Sequence, residues 1–149
     1  MRRFLNAVAM SKKSLVFPPP TPIALVICDD VRSDRSGKRS LVGLFNRIVF
    51  SRFPAKQNRV CVFVSVTSLR PSTICKIDLV NAETDEPLAV MQGPLQNHDP
   101  VIVCDLVFRI NNLRFRTPGT YYVRFWGNDQ ILMQRAFEVL QAAPRKRPA

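Results

Sequence analysis

Residues 117–139, Thr-Pro-Gly-Thr-Tyr-Tyr-Val-Arg-Phe-Trp-Gly-Asn-Asp-Gln-Ile-Leu-Met-Gln-Arg-Ala-Phe-Glu-Val, change character with a period of two, which suits a pleated strand and not a helix. Tyr121, Val123 and Phe125 fall on one parity, and Tyr122, Arg124 and Trp126 on the other. Pro118 presets φ for the first central position of a turn, and Gly119 supplies the positive φ that a type II turn needs next. Gly127-Asn128-Asp129 has the chemistry of a tight reversal. Ile131, Met133, Phe137 and Val139 then resume on one parity, interrupted by Arg135. The stretch reads as a hairpin that sends Tyr121, Val123 and Phe125 into a core with Ile131, Met133 and Phe137.

The same logic runs back along the chain. Residues 23–28 are a nearly uninterrupted apolar run, suited to a strand covered on both faces, and Asp29, Asp30 and the polar loop 33–38 follow it. Residues 40–50 form a second apolar run, in which Gly43 signals a bulge or a close backbone approach. Val60, Val62, Val64 and Val66 alternate with Cys61, Phe63, Ser65 and Thr67, the strongest strand by composition. Residues 74–80 read as a half-solvated strand, and 88–95 as a short strand whose close near Gly93-Pro94 argues for an edge or a strand end. Residues 101–110 place Ile102, Cys104, Leu106, Phe108 and Ile110 on one face, and 111–116 read as a connector. No helical periodicity appears. About eight short strands separated by turn signals predict an all-β chain, a single antiparallel β-sandwich that is immunoglobulin-like in the loose sense.

Charge divides the chain into a domain, residues 21–141, between a flexible basic, proline-rich head, 1–20, and a flexible basic tail, 142–149. Seven of the 22 Lys and Arg residues lie in those ends (Arg2, Arg3, Lys12, Lys13, Arg145, Lys146 and Arg147). The other 15 face all 11 acidic residues inside, so the body carries only +4 of the total +11. Basic ends give weak, salt-sensitive, non-specific attraction to nucleic acid, whereas a body of mixed sign is an ordinary solvated surface. The apolar stretch after Arg2-Arg3 is short for a signal peptide and is broken by Asn6, and Met10 offers a second start. These features favour a cytoplasmic protein over an exported one, and no run is long enough to span a membrane.

Catalytic and metal chemistry find little support. Cys28, Cys61, Cys75 and Cys104 contain no Cys-x-x-Cys pair, and His98 is the single histidine, which argues against structural zinc. Four cysteines allow three disulfide pairings, but Trp126 follows all of them instead of lying between paired cysteines, and reduced core thiols are the favoured reading. Asp29, Asp30 and Asp34 form the sharpest acidic cluster. They match no calcium-loop spacing, and Arg32 and Arg35 lie among them, so a solvated strand exit outweighs a metal-dependent enzyme or a lectin. His98-Asp99 could pair a base with an orienting carboxylate, yet it sits in an Asn-His-Asp-Pro turn with no nucleophile elbow in the chain. Five single glycines cannot build a phosphate loop. The expectation is a non-enzymatic protein with no cofactor, no metal and no catalytic residues.

Arg109, Arg114, Arg116 and Arg124 interleave with Phe108, Phe115, Tyr122 and Trp126. Such a face serves as solvated strand surface, then as protein contact, and third as a single-stranded nucleic-acid grip. Tyr122, Arg124 and Trp126, on the hairpin's second parity, have no evident structural duty, which makes them the candidate contact surface. An unidentified protein partner is thus the first expectation, and nucleic-acid association through basic ends and an Arg/aromatic face the alternative.

Residues 25–32, Leu-Val-Ile-Cys-Asp-Asp-Val-Arg, are followed by Gly37-Lys38-Arg39-Ser40-Leu41-Val42-Gly43-Leu44-Phe45, Phe53-Pro54 and the Pro118-Gly119-Thr120-Tyr121 hairpin. In that order they resemble a bacterial domain family of unknown function: an apolar strand ending Cys/Ala-Asp, a Leu-x-Gly-x-Phe strand, Phe-Pro, and a C-terminal Pro-Gly-x-Tyr hairpin. The resemblance spans residues 23–140. It implies a small cytoplasmic β-sandwich without an established activity, and supplies no functional residues.

Overall fold

The computed structural model describes residues 19–70, 72–95 and 99–144, Leu95 by its backbone alone. His98, most of the expected head and most of the tail lie outside the described residues. Among the described residues nine strands follow in order: β1 (Thr21–Ser33), β2 (Arg39–Leu44), β3 (Arg47–Phe50), β4 (Ala55–Thr67), β5 (Thr73–Asn81), β6 (Pro87–Leu95), β7 (Cys104–Phe115), β8 (Gly119–Gly127) and β9 (Gln130–Gln141). They form a four-stranded sheet, β2-β1-β4-β7, and a five-stranded sheet, β3-β9-β8-β5-β6. Every pairing is antiparallel except β3 with β9, which is parallel.

The inner faces hold the core. Leu25, Ile27, Val60, Val62, Val64 and Val66 come from one sheet, and Ile77, Leu79, Tyr121, Val123, Phe125 and Phe137 from the other. Phe115 lies at its aromatic centre, with ring centroids 5.0 Å from Tyr121, 6.1 Å from Phe137 and 5.8 Å from Phe50. The Tyr121 hydroxyl donates to the Thr117 carbonyl at 2.6 Å, the local bond of a tyrosine corner.

Several expectations are corrected by the register. The run 40–50 is two strands in different sheets, because the chain crosses from one sheet to the other at Phe45-Asn46. At Gly43, φ is +71°, and a Cβ there would collide with the Asp29 carboxylate, so this close approach requires glycine. Asp29 and Asp30 lie within β1, not at a strand exit, and residues 111–115 belong to β7 instead of a connector. Ile102 lies in the exposed turn before β7. Gly119 is already the first residue of β8, paired with Val139, and does not centre a turn. The tight reversal is where the sequence places it, at Asn128-Asp129, and φ values of 48° and 67° match a type I′ hairpin. A bulge opposite Phe125/Trp126 skips Leu132 and shifts parity, so Met133 faces the core while Ile131 falls on the outer face and is exposed.

Candidate functional site

β6 and β7 are the end strands of their sheets on the same side of the sandwich. β6 carries no charged residue, and it exposes Val90 (54%) and Met91 (38%). An edge strand offers a row of unpaired N–H and C=O groups, which proteins usually protect with charge, proline or bulges. Here only Pro87 and Pro94 flank the stretch 88–93, and β5 is the one strand paired with β6 among the described residues. Between this edge and β7 the sandwich leaves two concavities. The narrow one, about 290 Å³, is lined by Cys75, Met91, Gly93, Pro94, Leu106 and Phe108. The wide one, about 770 Å³, has Pro54, Pro87, Leu88 and Tyr121 as apolar walls and Glu86, Arg114 and Arg116 at its polar rim. A largely apolar cleft with a few convergent polar groups is the usual form of a binding site.

The polar rim is electrostatically uneven. Lys56 stands directly opposite Arg114 in the β4–β7 ladder, and neither makes an ion pair among the described residues. Arg116 reaches Glu86 at 3.9 Å, with both side chains largely exposed, a geometry worth little. At the narrow end, burial, with the nearby Cys104 thiol second, pushes the Cys75 thiol up to about 11. It stays a neutral, weakly nucleophilic wall at physiological pH.

The three residues singled out by alternation come together on the outer face of the five-stranded sheet, all half-buried. Arg124 has the structural duty that its sequence position does not reveal. Its Nε and Nη2 each donate to the Asp78 carboxylate at 2.8 Å, with side-chain exposures of 16% and 7%, and Asp85 lies 3.6 Å away. The Asp78 hydrogen bonds hold this guanidinium above its ordinary pKa. The Lys76 ammonium sits 4.1 Å over the Trp126 ring and the Arg124 guanidinium 5.1 Å from it, a packed cation–π stack.

The remaining candidates disperse. Asp34 accepts from the Ser36 hydroxyl and from the Ser36 and Lys38 backbones, so its carboxyl closes the turn and titrates below its ordinary value. Asp30 accepts from the Val31 backbone and faces Arg32 and Arg59. Arg109 donates to the Val31 carbonyl. Cys28 and Cys61 stand opposite each other in β1 and β4, buried under Leu41, Phe63 and Val107, and burial raises both thiols. Sequence reasoning anticipated an edge at 88–95 but missed Lys56 and the cleft. Gly93-Pro94 is the signal for the edge, and the lack of charge over 87–95 is a second; the opposition of Lys56 and Arg114 required the register.

No helix among the described residues is long and apolar enough to cross a membrane. None of the curated proteins matches the chain. Among solved structures, the chain is similar to a Pseudomonas fluorescens alkylpurine DNA glycosylase, AlkC, bound to DNA containing an abasic site analog. The TM-score is 0.52 at 12% identity, over 87% of this chain but only 32% of that one, so the likeness is one of fold. Residues 23–140 match the family described as a family of unknown function (DUF6941). The chain therefore belongs to that family, to which no activity is assigned.

Proposed function

We propose that this protein is a non-enzymatic interaction module that takes an extended segment of a partner protein along the β6 edge. The observation that carries this reading is a charge-free, exposed edge strand running beside an apolar cleft. Main-chain hydrogen bonds to the strand supply affinity and the pockets beside it supply side-chain preference, as in β-strand addition elsewhere. The Tyr122–Arg124–Trp126 row is the less favoured surface, because Arg124 is already committed to Asp78. A reducing compartment, the cytoplasm, suits four thiols of which three are buried and held protonated. Selection of a random peptide library on the full chain tests the reading. Enriched peptides should bind the wild type and lose binding to Met91→Lys, which adds charge to the edge. Failure to enrich any peptide, or binding indifferent to Met91→Lys, would sink it.

Nucleic-acid association is the rival reading. It rests on the facing Lys56 and Arg114, and on the DNA-bound protein whose fold this chain shares over part of its length. It requires affinity for an oligonucleotide that falls linearly with salt on logarithmic axes.

A further inference from the structure

We propose that the wide end of the cleft reads a carboxylate on the partner segment, so that the bound peptide carries an Asp or Glu at a set distance from an apolar anchor. The inference rests on the β6-edge reading and adds to it the chemistry of the partner. Like charges directly opposite on paired strands destabilise a sheet, and Lys56 faces Arg114 in this way with no ion pair to either among the described residues. Arg114 lines the cleft together with Arg116, whose one ion-pair partner among the described residues, Glu86, is 3.9 Å away and solvent-exposed. Arg114 and Arg116 thus line, with one loosely held acid, a concavity walled by Pro54, Pro87 and Leu88, and Lys56 stands opposite Arg114 on the neighbouring strand. Apolar walls lower the local dielectric and strengthen attraction for an incoming anion, and guanidinium groups match a carboxylate in fork geometry.

The spacing follows from the strand. Leu88 lines the wide cleft, while Met91 and Gly93 line the narrow one. A peptide strand alongside β6 rises about 3.3 Å per residue, so its acidic residue lies roughly three to five positions from the apolar side chain seated beside Leu106 and Phe108. A peptide is favoured over a phosphate backbone because the narrow pocket is apolar and β6 bears no charge.

The test repeats the peptide selection on the full-length wild type and on Arg114→Gln. Wild-type selections should enrich Asp or Glu three to five positions from an apolar residue, and Arg114→Gln selections should enrich the apolar residue without the acid. For one enriched peptide, replacing its acid by the amide should weaken wild-type binding about tenfold and Arg114→Gln binding less than twofold. Lys56→Gln, which relieves the like-charge contact, should keep or raise the melting temperature while reducing the same discrimination. It also serves as the working variant if Arg114→Gln fails to fold. Enrichment without acid preference overturns this inference and leaves the edge reading standing; no enrichment overturns both. Binding of a twenty-nucleotide oligothymidine to wild type but not to Arg114→Gln, with no peptide enriched, would reassign the cluster to a phosphate backbone.

Discussion

The two lateral sides of the sandwich are built in opposite ways. On one side the chain passes directly from β2 in one sheet to β3 in the other. Phe45 at that crossing packs edge-on against Phe137, with centroids 6.4 Å apart. Arg135, on the inner parity opposite Val123, spans the sheets with bonds to the Leu25 carbonyl at 3.3 Å and the Asn46 side-chain oxygen at 2.8 Å. On the other side, among the described residues, β6 and β7 end their sheets without a strand between them, and the gap is the cleft. A sandwich whose second edge pair is left open has kept one place where another chain can add a strand.

The contrast predicts where substitutions cost stability. Phe137→Ala, at the closed side and in contact with three aromatic rings, should cost about 4 kcal/mol by denaturant unfolding. A cost below about 2 kcal/mol would mean the closed side does not organise the core. Asp78→Ala should cost about 3 kcal/mol, because it removes both 2.8 Å bonds of the half-buried Arg124 guanidinium and leaves it the exposed Asp85 at 3.6 Å. A near-neutral result would free Arg124 for contact and restore the Tyr122–Arg124–Trp126 row as the first surface to probe. Arg135→Ala should cost about 2 kcal/mol through the lost bonds across the closed side.

The smallest effect concerns the open side and pH. Cys75 is raised from 9.0 in an ordinary thiol to about 11, so the neutral form is favoured in the fold. Its contribution to stability is complete below pH 9.0 and is lost as pH rises toward 11. Cys75→Ser should flatten that part of the stability profile. In the wild type, iodoacetamide at pH 8 should modify Cys75 at least roughly a hundredfold more slowly than a free thiol. Rapid labelling would show that the cleft opens through to the core.

Legibility in the sequence was greatest where the signal was local. Alternation from Val60 to Val66 and from Tyr121 to Phe125 identified core residues directly. It failed at Ile131, because one bulge reverses parity beyond it, and at 40–50, because an apolar run does not say which sheet each half joins. Arg114 and Arg116 stood out as cations, but their interleaving with aromatics pointed to a strand face and not to a cleft. Tyr122, Arg124 and Trp126 were grouped correctly on one face, while Asp78, which occupies Arg124, lies 46 residues away in the chain.

By itself, then, the sequence determined an all-β chain, its hairpins and most of its buried set, since a period of two and the φ preferences of turns are properties of neighbouring residues. The tertiary structure decided sheet order, which edge stays open, and that Lys56 confronts Arg114 while Arg124 meets Asp78. Those facts depend on pairing between distant strands, where the register of a whole ladder sets which side chains meet.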